Sequence, residues 1–133
     1  MIEREHAAVM LTMAEKDLDT MERMLRDSEF AEEAFGFHAQ QAVEKALKAW
    51  IIMIGAEYPL THDLQLLIDL LRGARQAIPE RFTELVDLSD FAVEFRYEPY
   101  TFFDGTLDRG PLTRLVAELI AHVKVQMRGA DPR

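Results

Sequence analysis

The sequence has no cysteine, few glycines and prolines, and no long apolar run. Without cysteine, disulfides, thiolate metal sites and cysteine nucleophiles are excluded, which fits a reducing compartment. The longest apolar stretch, residues 49–54, is far shorter than the roughly 20 residues that cross a bilayer. The charged first residues are not followed by the apolar run of a secretory signal. We therefore expect a cytoplasmic protein that does not enter a membrane.

Basic residues are in deficit, with 15 Lys and Arg against 24 Asp and Glu and a net charge of -9. A field of this sign repels polyanions, so bulk attraction does not drive nucleic-acid binding. Any site for nucleic acid must be local or shared with a partner. The 6 glycines are scattered, and none belongs to a phosphate-binding loop of the GxGxxG or GxxxxGK[ST] type. We therefore do not expect a self-contained nucleoside triphosphatase.

Apolar residues recur at helical spacing along the chain and predict five helices, at about 2–26, 29–54, 64–73, 79–95 and 111–127. Gly55 suits the end of the second helix, Thr61 or Asp63 the N-cap of the third, and Pro79 the first turn of the fourth. No segment is typical of a strand. The sequence thus predicts an all-α fold, an antiparallel up-and-down four-helix bundle with an additional short helix. We expect one domain over residues 1–128 and a polar tail over 129–133.

The polar side of the predicted second helix carries Gln41, Glu44, Lys45 and Lys48. For the charges alone, the simplest interpretation is a solvated face with Glu44 and Lys48 as an i,i+4 pair. Phe37 and Ile52 lie in the same sector, and apolar residues among charges indicate a surface that another chain covers. We predict a homodimer with Phe37 and Ile52 in its interface, because two-fold pairing is the simplest such contact.

An aromatic segment, residues 95–103, follows the predicted fourth helix and is called the aromatic loop. It contains Arg96 and Tyr97. Aromatic faces stack on bases, and a guanidinium group binds phosphate. The loop is therefore the best candidate ligand site. The same aromatics also suit a plug at the end of the bundle, and the loop alone does not decide between the two interpretations.

Histidines and carboxylates are too few for a predicted metal site. A di-metal bundle needs Glu-x-x-His on two helices, whereas this pattern occurs only at residues 3–6, and Glu118 with His122 offers two ligands. His62 and Asp63 are neighbours and have the residue types of a proton-transfer pair. A local hydrogen-bonding role beside a helix N-cap is favoured for them.

Residues 37–49, Phe-His-Ala-Gln-Gln-Ala-Val-Glu-Lys-Ala-Leu-Lys-Ala, resemble the signature helix of the HEPN family, the higher-eukaryote and prokaryote nucleotide-binding domain. Residues 61–64 resemble the His-Asp-Leu motif of that family. Arg96-Tyr97 resembles its Arg-Tyr-Pro motif, with Glu98 in place of proline and Pro99 one position later. The resemblance spans about residues 5–127. It implies a helical bundle, usually dimeric and often encoded beside a minimal nucleotidyltransferase.

Many HEPN proteins resemble one another in a ribonuclease motif, an arginine followed after four to six intervening residues by a histidine. After Arg96 the corresponding positions hold Thr101, Phe102 and Phe103, so the acid–base partner is missing. The resemblance therefore implies a binding module without a catalytic residue or cofactor, which partners a nucleotidyltransferase and holds nucleotide or RNA. The predicted ligand-binding residues are Lys45, Lys48, His62, Asp63, Arg96 and Tyr97.

Two other functions stay open at this point. One is a ribonuclease toxin of a toxin–antitoxin system, in which Arg96 stabilises the phosphate and His62 or His38 replaces the missing histidine. The other is a structural adaptor, in which Arg96 is paired with a carboxylate such as Glu44 and the aromatic loop belongs to the core.

Overall fold

The computed structural model describes residues 2–26, 32–92 and 107–129, and the structural statements below concern those residues. The helices are α1 Ile2–Met24, α2 Glu32–Met53, α3 Leu64–Gly73, a 3₁₀ helix Glu80–Phe91 and α4 Arg109–Gly129. The described ranges contain no strand. The predicted all-α bundle with a short additional helix is thus confirmed. None of its described helices is both long enough and apolar enough to cross a membrane.

α2 lies at the centre of the bundle and packs on every other helix. α1 runs antiparallel to it, because Asp17 of α1 contacts Lys45, while His6 near the start of α1 contacts Tyr58 beyond the end of α2. Small side chains let the two helices approach closely, since a short residue leaves room for the facing backbone. Six alanines that are 0% exposed lie in α1 and α2: Ala7, Ala14, Ala39, Ala42, Ala46 and Ala49.

α4 runs parallel to α2. Arg109 at the start of α4 contacts Glu32 at the start of α2, and His122 packs on Trp50 near the end of α2, with 5.2 Å between ring centroids. Trp50 is 1% exposed, and its indole N–H donates to Gln76 Oε1 at 3.0 Å. The tryptophan is therefore both buried and satisfied in hydrogen bonding.

The predicted fourth helix at 79–95 is present, but over Glu80–Phe91 it is a 3₁₀ helix and not an α-helix. Its prediction rested on a stripe from Phe82 through Val86 to Val93, the last of which lies outside the described residues. A 3₁₀ helix has three residues per turn, so side chains at i and i+3 eclipse one another. The buried residues follow that spacing: Phe82, Leu85, Leu88 and Phe91. This period of three was the signal in the sequence that an α-helical reading missed.

A close approach between Gly36 and Phe91 joins α2 to the end of the 3₁₀ helix. A Cβ atom at Gly36 would lie 2.3 Å from the Phe91 ring, which is far inside normal contact. Phe91 is 2% exposed. Glycine is therefore the residue that allows this ring to seat on α2.

The predicted ends of α2 and α3 are confirmed. Gly55 follows α2 with φ +85, and its N–H donates to Ile52 O at 3.0 Å. Asp63 caps α3, because its side chain accepts from the N–H groups of Gln65 and Leu66. The connection between these helices, residues 54–63, is thereby fixed at both ends. It lies beside the polar side of α2, because Tyr58 contacts Lys48 and His62 contacts Glu44.

Candidate functional site

Glu44 of α2 is the centre of a buried polar cluster. It is 5% exposed, and its Oε2 accepts from Lys48 Nζ at 2.7 Å. Its Oε1 lies 2.8 Å from His62 Nδ1 and accepts from Gln40 Nε2, also at 2.8 Å. These residues are called the Glu44 cluster below. It joins the signature helix to the His-Asp-Leu segment.

Glu44 is ionised at neutral pH. Its burial acts to raise the pKa, because a carboxylate loses hydration. Hydrogen bonds from Lys48, Gln40 and His62, together with the charge of Lys48, outweigh that effect and lower the pKa of Glu44 below its ordinary value of 4.5. A buried carboxylate with three donors is accordingly held in its charged form.

His62 is fixed by its backbone as well as by its ring. Its carbonyl accepts from Gln40 Nε2 at 3.2 Å, and the N–H of Leu64 donates to Ser89 Oγ at 3.0 Å. The His62 side chain is nevertheless 60% exposed. The N-cap role of Asp63 is confirmed, whereas the ring partner of His62 is Glu44, a contact that sequence reasoning missed.

A second cluster of similar construction links α1 to α2 and is called the Asp17 cluster. Asp17 is 9% exposed; its Oδ2 accepts from Lys45 Nζ at 2.8 Å, and its Oδ1 lies 2.9 Å from His38 Nδ1. Sequence reasoning missed Asp17. The available signal was its spacing, since it lies three residues after Ala14 and four before Met21, on the buried stripe of α1.

The polar side of α2 is covered by its own chain, so the prediction of a solvated face was wrong. Lys45 and Lys48 keep only 18% and 8% of their side-chain surface exposed. Each is paired with a carboxylate, and the ring of Tyr58 lies 4.9 Å from Lys48 Nζ. The i,i+4 pair of Glu44 and Lys48 does form. The two lysines are thus not free cations for phosphate.

The two predicted interface residues differ in exposure. Phe37 is half-buried and lies edge-on to His38, with 5.4 Å between centroids. Ile52 is 7% exposed and belongs to the core of its own chain. It leaves little surface for a second copy, so Phe37 is the stronger of the two candidates, and the homodimer stays a prediction.

Arg96 and Tyr97 lie outside the described residues, in the segment 93–106. Both flanks of that segment are attached to the first turns of α2. Before it, Phe91 packs on Gly36. After it, the N–H of Leu107 donates to Glu32, and Arg109 Nη2 donates to Glu32 Oε1 at 2.6 Å.

Glu118 and His122 do not form a common ligand set. Glu118 Oε1 accepts from Arg81 Nε at 2.8 Å, and the His122 ring packs between Trp50 and Phe82. Burial, and then the charge of Arg81, lower the pKa of His122 below 6.5. Within the described part of the chain, no three histidine or carboxylate side chains group as a metal site would require.

The architecture defines a class: an all-α bundle in which the polar side of a central helix bonds to a His-Asp-Leu segment. The HEPN domain family profile matches residues 7–124. The chain therefore belongs to the HEPN domain family, which consists of nucleotide-binding and ribonuclease-type modules. No curated protein and no solved structure gives a significant match.

Proposed function

We propose that the chain is a non-catalytic HEPN binding module that holds a nucleotide or an RNA segment beside the polar side of α2. It acts in the cytoplasm as a homodimer together with a minimal nucleotidyltransferase. One observation carries the proposal: the 2.8 Å contact between Glu44 and His62. This contact joins the signature helix to the His-Asp-Leu segment, although the two residues are 18 positions apart.

The attachment of the aromatic loop supports the same location. The flanks of segment 93–106 meet α2 at Glu32 and Gly36, within about two turns of Gln40, which belongs to the Glu44 cluster. A guanidinium from Arg96 supplies a forked donor for phosphate, and Tyr97 supplies a stacking face for a base. Neither Lys45 nor Lys48 is needed for the charge.

Calorimetric titration with AMP, ATP and a short single-stranded RNA tests the ligand. We expect weak binding that Arg96→Ala removes while leaving the melting temperature nearly unchanged. Arg72→Ala is the matched control, because Arg72 is an exposed arginine in the last turn of α3. Absence of binding in the wild type, with a loss of roughly 3–5 kcal/mol in Arg96→Ala, would instead support the structural adaptor.

Two further measurements test the assembly. Light scattering is expected to give a dimer mass at tens of micromolar, and Phe37→Glu is expected to give a monomer, since a charge replaces a half-buried apolar ring. Co-expression with a nucleotidyltransferase encoded beside this gene is expected to yield a complex. A monomeric wild type, or failure to co-purify with such a partner, contradicts the corresponding part of the proposal.

A ribonuclease is the second candidate, and the observation that favours it is the pair of carboxylate-held imidazoles, His38 and His62. An oriented imidazole is a common acid–base group. We nevertheless expect no cleavage of single-stranded or transfer RNA by the purified chain, because Arg96 lacks the spaced histidine. Cleavage that disappears in both Arg96→Ala and His62→Gln would replace the binding module by the enzyme.

A further inference from the structure

The Glu44 and Asp17 clusters share one chemical plan. In each, a buried carboxylate accepts from a lysine through one oxygen and meets a histidine Nδ1 through the other. The histidines are His62 and His38, and both are partly exposed, at 60% and 28% of their side-chain surface. Two copies of this arrangement border the same side of α2.

Each cluster is electrically neutral when its histidine is neutral, because the lysine balances the carboxylate. The ionised Glu44 carboxylate can only accept, so the nitrogen that faces it, His62 Nδ1, carries a hydrogen. Nε2 of His62 is then the nitrogen left for a ligand. Protonation at Nε2 converts the neutral cluster into one with a net positive charge.

The charged groups that face each imidazole are few. Among the described residues, the charged groups near His62 are Glu44 and Lys48 of α2. The ring of Tyr58 lies against Lys48, and the side chain of Asp63 caps α3. Around His38 the charged groups are Asp17 of α1 and, through the shared carboxylate, Lys45 of α2. Both lysines are already paired, so among the described residues named here a further positive charge comes from the imidazoles.

The two clusters are too far apart for a single phosphate. Their α2 anchors, His38 and Glu44, are six positions apart, which is roughly 9 Å along a helix axis. Gln41 lies between them and donates to Gln40 Oε1 at 2.8 Å. A ligand that meets both imidazoles must therefore carry more than one anionic group in an extended arrangement. A single-stranded RNA backbone meets that requirement.

We propose that His38 and His62 are proton-coupled phosphate contacts for single-stranded RNA. Each imidazole takes a proton from solvent at Nε2 as a phosphodiester oxygen binds, and no covalent bond changes. This inference rests on the proposed function. It names the residues that contact the ligand, the ligand itself and the pH dependence of the binding. It adds, to the permanent charge of the Arg96 guanidinium, two positive charges that appear when the RNA binds.

Fluorescence anisotropy with a labelled eight-residue oligouridylate at constant ionic strength tests the proposal. The phosphodiester charge is constant between pH 8 and pH 6, whereas histidine is the side chain that ordinarily titrates there. Each coupled proton changes the affinity by up to about tenfold per pH unit. We expect affinity to rise at least about tenfold from pH 8 to pH 6, while circular dichroism shows the fold unchanged.

Substitutions identify the histidines. His38→Gln and His62→Gln are each expected to reduce the pH dependence, and the double variant is expected to remove it. His122→Gln is the control, because His122 packs between Trp50 and Phe82; it is expected to keep the wild-type dependence. The control also covers the general gain in positive charge at pH 6, which all variants share.

Four results would overturn the proposal. Wild-type affinity that is independent of pH, or a double variant that keeps the dependence, excludes the histidines while the proposed function stands if Arg96→Ala still abolishes binding. Equal affinity and equal pH dependence for AMP and the oligouridylate exclude the two-phosphate contact. No binding of either probe at any pH removes both this inference and the ligand part of the proposed function.

Discussion

Both sides of α2 contain side chains that are nearly fully buried, but the two sides are built differently. On the apolar side, Phe35, Ala39 and Trp50 are within 1% of complete burial, and ordinary packing encloses them. On the polar side, Glu44 and Lys48 are 5% and 6% exposed, and ion pairs and hydrogen bonds enclose them. On the first side, removal of apolar surface from water favours burial. On the second it depends on each charge keeping its partner, since an unpaired buried charge is costly.

The largest expected effect is on the apolar side. Trp50→Ala removes the largest buried ring and its hydrogen bond to Gln76, and we expect a loss of roughly 3–5 kcal/mol in the free energy of unfolding. Urea denaturation followed by circular dichroism measures it. Val125→Ala, at a site that is 52% exposed on α4, is the control and should be nearly neutral. A loss below 1 kcal/mol in Trp50→Ala would mean that this side is not the main core.

The polar side gives the next effect. Glu44→Gln keeps the shape of the side chain but leaves Lys48 as a buried cation without its carboxylate, 8% exposed. We expect a loss of about 3 kcal/mol, toward the lower end for a broken buried pair. The same denaturation experiment measures it, with Glu84→Gln as the control at an exposed site.

A double variant separates the stranded charge from the lost carboxylate. Glu44→Leu with Lys48→Met replaces the pair by apolar side chains of similar size, and such replacements are often neutral or stabilising. We expect stability well above that of Glu44→Gln alone. If the double variant is as unstable as the single one, the hydrogen bonds of Glu44 to Gln40 and His62, and not the charge of Lys48, dominate this side.

The comparison also explains what could be predicted from the sequence. The helix positions and the apolar side of α2 follow from periodicity, and the caps at Gly55 and Asp63 follow from local backbone chemistry. The partners of Lys45 and His62 are 28 and 18 residues away. No local spacing encodes such contacts, because they depend on how α1 and the 54–63 connection pack against α2. The polar side was therefore interpreted as solvated, and its ligand candidates were named without their partners.

A smaller effect is expected where α2 meets the 3₁₀ helix. Gly36→Ala places a methyl group 2.3 Å from the Phe91 ring, and we expect a loss of about 1–3 kcal/mol through overpacking, partly offset by the better helix propensity of alanine. Gly36→Ala combined with Phe91→Leu tests the cause, because the smaller side chain should restore part of the loss. Wild-type stability in Gly36→Ala would show that Phe91 moves freely.

The smallest effect is the dependence of stability on pH, which distinguishes the two sides without changing a residue. His122 packs on Trp50, and burial, then Arg81, lower its pKa from 6.5. His122 binds a proton more readily in the unfolded chain than in the folded chain. Its contribution to stability is therefore present above pH 6.5 and is lost as pH falls through the folded pKa.

The pKa of Glu44 is also lowered, because hydrogen bonds from Lys48, Gln40 and His62 outweigh the opposing effect of burial. Its contribution is present above about pH 4.5 and is lost as pH falls below that value. Melting temperatures measured from pH 8 to pH 3 should therefore decline in two steps, the first removed by His122→Gln and the second by Glu44→Gln. A first step that persists in His122→Gln would assign the loss to another histidine, and a second step that persists in Glu44→Gln would show that the polar side of α2 does not control acid unfolding.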